Sequence, residues 1–442
     1  MFKNQKIFIL GMARSGYEVA KVLAKRNNEI IIIDEKEQDE MHVSDLEELN
    51  VTFIKCKKGT KFLNKSFDYV IKNPGIKLDH PLILKARRLN IPVINEVEVA
   101  YNLLPKDIKI IGVTGSNGKT TTTTMIYEIL KKAGFDVLLG GNIGYPVCSL
   151  LDKINKNSIL VLEISSHQLH DLKNFKTNIS VMTNLSEVHL DHFGSYEFYK
   201  EQKFKIFKYH NSENISILNY DNKDIMENIS FIKSNKLYFS SKRKCDIYLN
   251  KESIYYKNKQ IIKLKDIFIK GVHNYENVMC AIGVVKEFNV KNKIIKEYLK
   301  EFKGVEHRIE FVRDVNGVKF YNDSKSTNPE STIVALKTFS ENIILILGGL
   351  DRGQCFESLN PYLNKVKFII CYGEVKERVR LWANANNVKV KIFENVNECV
   401  KFAYEKGRKN DVVLLSPACA SWDQYKDYIE RGNDFKESVK LL

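Results

Sequence analysis

The sequence predicts an α/β protein made of three consecutive α/β domains, and three observations predict it. Short apolar runs alternate with helical patterns along the whole chain, the order that builds parallel sheets covered by helices. Glycine-rich turns follow the first strand of two of the units, at 11–16 and 115–118. The length of 442 residues holds two to four domains at about 100–200 residues each.

The elements follow in order. KIFIL (6–10) is a buried strand, the turn GMARSG follows, and YEVAKVLAKR is helical. EIIIID (29–34) is the second strand, FDYVIKNPGI (67–76) another ending in a turn, and IPVINEVEVA a strand passing into a helix. Proline and charge at LLPKD (103–107) break the pattern, which sets a first domain at 1–103. IKIIGVTGSNGKTTTTTMIYEILKKAG is strand, glycine loop and helix. SILVLEISS and ISVMTNLS add strands, and KLYFS, DIYLN, SIYYKN and QIIKL are expected to form antiparallel hairpins. GVHNYENVMCAIGVVKEF returns to helix, so the second domain runs 104–304. In the third, 305–442, VKFYNDSKSTNPES, NIILILGGLDRG, VKFIICYGE and DVVLLSPACAS each run from strand into polar turn. Ligands of such sheets sit at the carboxyl ends of strands, where these motifs lie.

With 44% hydrophobic and 28% charged residues, composition excludes a disordered chain and a collagen-like fibre. No apolar run approaches the ~18–20 residues of a membrane helix, and the four apolar residues before Gly11 fall short of the ~7–15 of a signal peptide. Eight cysteines without a C-x-x-C pair fit a reduced, cytoplasmic setting. The net charge of +15 comes from scattered lysines, not from arginine blocks with interleaved aromatics, so a nucleic-acid role is not expected.

Gly115-Ser116-Asn117-Gly118-Lys119-Thr120 ends a strand and opens a helix. Its amides and the helix N-terminus suit phosphate, Lys119 suits β/γ-phosphates, and the Thr120 hydroxyl suits Mg²⁺. Val113 occupies the place of the first glycine in the strict G-x-x-x-x-G-K-[ST] spacing. The turn Gly11–Gly16, with Asp34 ending the next strand, fits a dinucleotide, a mononucleotide or sugar nucleotide, or a plain tight turn. Glu163, read as two strands from the loop, is either a Mg²⁺ carboxylate or a helix cap. The run Asn184–His192 gathers acids and imidazoles for Mg²⁺ or substrate. No cysteine or H-E-x-x-H helix is there for zinc. Asn274 and Asn277 lie one turn apart for a purine edge or phosphate, or Asn274 caps its helix. Cys419 has no base partner and reads as packing.

GVTGSNGKTTTT, GGNIG, EISSHQL, NLSEVHLDH, HNYEN, EHR, NDSKSTNP and LGGLDRG, in this order and spacing, resemble the Mur ligases, ATP-dependent enzymes of peptidoglycan precursor synthesis. LLSPACASWDQYKDYIERGNDF and GMARSG resemble the D-glutamate-adding branch. The resemblance implies a Rossmann-like first domain for the UDP end of the substrate, a P-loop ATPase-like second domain, and a Rossmann-like third for the amino acid. It implies catalytic roles for Lys119, Glu163, His189 and Lys203. ATP is expected on Gly115, Ser116, Asn117, Gly118, Lys119, Thr120, Thr121, Asn274 and Asn277, with Arg308, Asp323 and Lys325 reaching it from the second–third domain junction. The UDP substrate is expected on Ala13, Arg14, Ser15, Asp34, Asn73, Gly75, Asn142, Ser165 and Gln168. D-glutamate is expected on Lys325, Thr327, Arg352, Ser421 and Tyr428. Mg²⁺, as two ions, is expected on Thr120, Glu163, His189 and a carbamylated Lys203. Arg352 replaces a lysine of some relatives and presents a planar fork instead of a point charge. The implied partners are UDP-MurNAc-L-Ala, D-glutamate and ATP, with no nucleic acid and no membrane, for a monomer. The rivals are a different Mur ligase or a folylpolyglutamate synthetase, a P-loop switch, and an NAD-dependent enzyme.

Overall fold

The structure, a computed structural model, describes residues 2–35, 38, 40–57, 59–188, 190–340 and 342–442. It divides into two compact units, Met1–Glu301 and Phe302–Leu442.

The first unit holds two sheets. Strands β1 (Lys6–Leu10), β2 (Glu29–Asp34), β3 (Val51–Lys55), β4 (Tyr69–Lys72) and β5 (Val93–Ile94) are all parallel, in the order β3-β2-β1-β4-β5. This is the Rossmann order, and its apolar runs are buried on both faces as a helix-covered parallel sheet requires. Helix Arg14–Ala24 buries Tyr17, Val19, Ala20 and Leu23.

The second sheet contains β6 (Lys109–Thr114), β7 (Val137–Gly141), β8 (Ile159–Glu163), β9 (Ile179–Met182), β10 (Ile215–Asn219), β11 (Asn235–Ser240), β12 (Ile247–Asn250), β13 (Ser253–Tyr256) and β14 (Lys259–Lys263). Their order is β14-β13-β12-β11-β10-β9-β6-β8-β7. Four hairpin pieces were expected over 230–270. KLYFS instead pairs parallel with β10 and DIYLN parallel with KLYFS, and only β12-β13-β14 are antiparallel. The reason is the connections. Helix Lys223–Met226 carries the chain from β10 back to a parallel start, whereas Lys257 and Asn258, both at positive φ, close a tight two-residue turn. One continuous hydrophobic cluster includes Ile7 and Ile9 of the first sheet and Ile110, Leu160 and Leu162 of the second.

The second unit has β15 (Glu310–Val315), β16 (Val318–Asn322), β17 (Ile343–Gly348), β18 (Val366–Tyr372), β19 (Val390–Ile392) and β20 (Val412–Leu415), ordered β15-β16-β20-β17-β18-β19. All pairs are parallel except the edge hairpin β15–β16. The fully buried β17 lies inside the sheet, which brings the loops after β16, β17 and β20 to one edge. Among the described residues no helix is long and apolar enough to cross a membrane.

Candidate active site

The glycine loop connects β6 to helix Lys119–Lys132. Its shape is set by the chain leaving β9. The Ser116 N–H donates to the Asn184 carbonyl (2.8 Å), the Asn117 N–H to Asn184 Oδ1 (2.9 Å), and Thr183 Oγ1 to the Asn117 carbonyl (2.6 Å). Gly118 has φ +78°, and a Cβ there would meet Asn277 Oδ1 at 2.1 Å, so only glycine admits both the turn and the neighbouring helix. Lys119 Nζ lies over the loop, donating to the carbonyls of Gly115 (3.0 Å) and Ser116 (2.7 Å). Thr120 and Thr121 are buried behind it.

Glu163 is closer to this loop than expected. β8 pairs directly with β6, with Val113 opposite Glu163, so it stands one strand away and not two. Its side chain is 2% exposed, with Oε1 accepting from Asn142 Nδ2 (2.7 Å) and Oε2 having no hydrogen-bond partner. A buried carboxylate oxygen left open beside a phosphate loop fits a hard cation, since such a group otherwise carries a full desolvation penalty.

Lys203 is 1% exposed, with Nζ donating to the Gly115 carbonyl (2.9 Å) and Thr114 Oγ1 (3.1 Å). Burial, and then the charge of Lys119, push its amine well below the ordinary lysine range, against the pull of Glu163. Ser116 Oγ meets the hydroxyl of Tyr199 at 2.8 Å, a contact with no signal in the sequence. His189 lies outside the described residues.

The two amides of helix Val272–Glu287 do different things. Asn277 is buried against Gly118 and accepts from Thr122 Oγ1 (3.4 Å). Gly271, not Asn274, caps the helix, and Asn274 Nδ2 donates back to the Lys270 carbonyl (2.8 Å).

A cavity of ≈ 510 Å³ opens at the carboxyl edge of the first sheet, lined among others by Gly11, Asp34, Cys56, Asn73, Ile76 and His80. Asp34 Oδ2 accepts from the Met12 N–H (2.7 Å), and Ser15 Oγ donates to Asn73 Oδ1 (2.5 Å). The remaining expected UDP-site residues lie outside its lining. Ala13 precedes helix Arg14–Ala24, and Arg14 stands 6.0 Å over the exposed Tyr145 ring. Gly75 is exposed, with open space at its Cβ position. Asn142 serves Glu163, while Ser165 and Gln168 satisfy each other in a capping box.

In the second unit, Asp323 is a hub. Its Oδ2 accepts from Ser326 Oγ (2.5 Å) and Ser416 Oγ (2.7 Å), and Oδ1 from the Ile309 N–H (3.1 Å). Burial pushes its carboxyl up to about 6, against these hydrogen bonds and Arg308. Lys325 Nζ lies 5.8 Å from the Tyr428 ring centroid, and the Arg352 guanidinium 4.4 Å from that of Trp422. Thr327 is exposed and Ser421 is buried. Arg431 was not expected. Fully buried, it donates to Ser324 Oγ (2.9 Å) and to the carbonyls of Ser324 (2.8 Å) and Cys419 (3.1 Å), tying two of the loops. A lone arginine in a helical pattern carries no sequence signal for this. Cys419 is packing, its thiol pushed up to about 12 by burial.

These features define an α/β protein with a strand–glycine loop–helix phosphate site, and family models match along the chain: "Mur ligase MurD-like, N-terminal domain" over residues 5–95, "Mur ligase middle domain" over 113–285, and "Mur ligase, glutamate ligase domain" over 307–419. The chain belongs to the Mur ligase family. Relatives named UDP-N-acetylmuramoylalanine–D-glutamate ligase include one from a Geobacillus species, 38% identical over 446 residues, covering 100% of this chain and 98% of its own. Another, from Streptococcus agalactiae, is 40% identical over 444 residues with the same coverage. The fold is that of solved Mur ligases. UDP-N-acetylmuramate-alanine ligase MurC from Thermotoga maritima aligns with TM-score 0.62 at 20% identity over 99% of each chain. MurF ligase from the same organism, in complex with ADP, aligns with TM-score 0.57 at 19% identity over 99% of this chain and 98% of its own.

Proposed function

We propose that this protein is the ATP-dependent, ADP-forming ligase that joins D-glutamate to UDP-N-acetylmuramoyl-L-alanine in cytoplasmic peptidoglycan precursor synthesis, acting as a monomer. Full-length relatives of that name support the choice of substrates. The observation that carries the chemistry is the open, buried Glu163 Oε2 beside the Lys119 loop.

The L-alanyl carboxylate attacks the γ-phosphorus of ATP, giving an acyl phosphate and ADP. The D-glutamate amine, as free base, then attacks the acyl carbon, and the tetrahedral intermediate expels phosphate. No protein nucleophile is needed, so positioning and charge neutralisation carry the rate. Lys119 offsets charge on the β/γ-phosphates, and Asn277 supports the loop that holds them. Thr120, Glu163 and His189 would hold Mg²⁺, which when bound neutralises phosphate charge. Lys203, whose burial favours loss of the amine's proton, is suited to add to CO₂ with loss of a proton. The resulting carbamate places a carboxylate-like group where an ammonium stood, for a second Mg²⁺.

Domains 1–103, 104–304 and 305–442 serve the uridine end, ATP and the amino acid. Asp34 and Asn73, with Ala13, Arg14, Ser15, Gly75, Asn142, Ser165 and Gln168 around them, take the UDP substrate. Asn274, Arg308 and Asp323 serve ATP. Arg352 and Lys325 each neutralise one carboxylate of D-glutamate, with Thr327, Ser421 and the backbone near Tyr428 as further donors.

The test is ADP release with UDP-MurNAc-L-Ala, with and without D-glutamate. D-glutamate-dependent ADP with an amide product of the matching mass is expected. ADP release without amide, or preference for meso-diaminopimelate, L-lysine or L-alanine, overturns the proposal.

A further inference from the structure

Lys72 ends β4, and its side chain is fully buried. Its Nζ sits 2.8 Å from Asp171 Oδ2, itself 3% exposed, at the end of helix Ser166–His170. The same ammonium reaches the carbonyls of Ile76 (3.3 Å) and Pro74 (3.5 Å). The ammonium is thus ion-paired to one carboxylate and hydrogen-bonded to two carbonyls. Asp171 is held in turn, its Oδ1 2.6 Å from His170 Nδ1, while Lys205 Nζ donates to the His170 carbonyl (3.0 Å).

This pair is not needed merely to dock the helix on the first sheet. Asn95 Nδ2 already donates to the Gln168 carbonyl (2.7 Å), and the Glu98 carboxylate accepts the N–H groups of Lys173 (3.0 Å) and Asn174 (2.8 Å). Nor is a buried ion pair a good stabiliser in itself, since apolar residues of similar volume commonly do as well. What Lys72 adds is a grip on the turn 73–76, whose Asn73 and Ile76 line the cavity at the first sheet's edge.

We propose that Lys72, anchored by Asp171, is a positioning residue for the sugar-nucleotide site: it clamps the Asn73–Ile76 turn in the shape that forms the cavity wall. The inference rests on the proposed binding of the UDP substrate in this cavity. The anchor caps the helix that follows β8, so one ion pair ties a first-sheet turn to the segment that continues from the strand carrying Glu163.

Three variants test it: Lys72→Met, Asp171→Leu, and the double Lys72→Met/Asp171→Leu. Each single variant leaves a buried charge or its carbonyl partners uncompensated and should melt well below the wild type. The double variant should recover most of the melting temperature. It should still raise the KM for UDP-MurNAc-L-Ala about tenfold or more, with the KM for ATP within about twofold, as expected when a positioning contact is lost. A double variant that recovers both melting temperature and KM overturns the proposal, as does a parallel rise in the KM for ATP. Calorimetric titration with UDP-MurNAc-L-Ala separates the two levels. A wild type that does not bind it overturns the assigned substrate and this inference together. A wild type and double variant that bind equally overturn the clamp alone.

Discussion

Two glycine turns occupy equivalent places in the first unit, each after a central parallel strand and before a helix, and different side chains close them. At Gly11–Gly16 a carboxylate closes the turn, Asp34 Oδ2 taking the Met12 N–H, and Asn73 takes the Ser15 hydroxyl. At Gly115–Thr120 the closing groups are amides and hydroxyls, and two lysines, 119 and 203, reach the loop carbonyls. The carboxylate of the first suits a ligand's hydroxyl or N–H donors, and the amides and helix N-terminus of the second suit phosphates. Topology puts a ligand at each strand end, but the side chains arriving from neighbouring strands decide its charge.

The largest break in this comparison comes at Lys119. Lys119→Ala should lower kcat by about 10²–10³, some 3–4 kcal/mol of lost transition-state stabilisation, with UDP-substrate binding intact. Near-normal turnover would remove the phosphate-loop reading. Glu163→Gln should come next. It keeps the shape but lowers the charge, so the Mg²⁺ concentration for half-maximal activity should rise about tenfold or more. An unchanged Mg²⁺ titration would show that the open Oε2 faces no cation.

A reciprocal pair sharpens the contrast. A Cβ on Gly118 meets Asn277 Oδ1 at 2.1 Å, and one on Gly16 meets the Gly11 carbonyl oxygen at 2.0 Å. Relief of such clashes costs about 1–3 kcal/mol. Gly118→Ala should therefore raise the KM for ATP, and Gly16→Ala that for the sugar nucleotide, each about tenfold. Steady-state kinetics in which either variant shifts both KM values alike would argue for global loosening.

The smallest effect lies in the second unit. Arg352→Ala should raise the KM for D-glutamate much more than that for ATP. Trp422→Ala, which removes the ring beneath the guanidinium, should raise it only severalfold, since exposed cation–π contacts contribute about 0.5–1 kcal/mol. A Trp422→Ala loss as large as that of Arg352→Ala would mean that the indole itself contacts substrate.

The three α/β sections, the phosphate loop and the polar strand ends could be read from the residues because each rests on local pattern: apolar runs, glycine at fixed spacing, polar residues where strands stop. The hairpin expectation failed for KLYFS because a six-residue strand looks the same whichever neighbour it meets, and the link before it set the direction. Asn274 and Asn277 share one helix face, yet only Asn277 meets the loop, because the helix is capped at Gly271 and the half-buried Asn274 turns back to the Lys270 carbonyl. The distance from Glu163 to the loop was misjudged because strand order, not chain order, makes β8 the neighbour of β6.

The sequence by itself determined where strands end and which loops carry charge, because turn chemistry and apolar periodicity act over a few residues. Only the tertiary structure decided which of those groups share an environment. Burial of Lys203 and Asp171, the open oxygen of Glu163 and the carbonyl cage of Arg431 depend on groups tens to more than a hundred residues away. Desolvation is a property of what surrounds a group, and no local pattern encodes it.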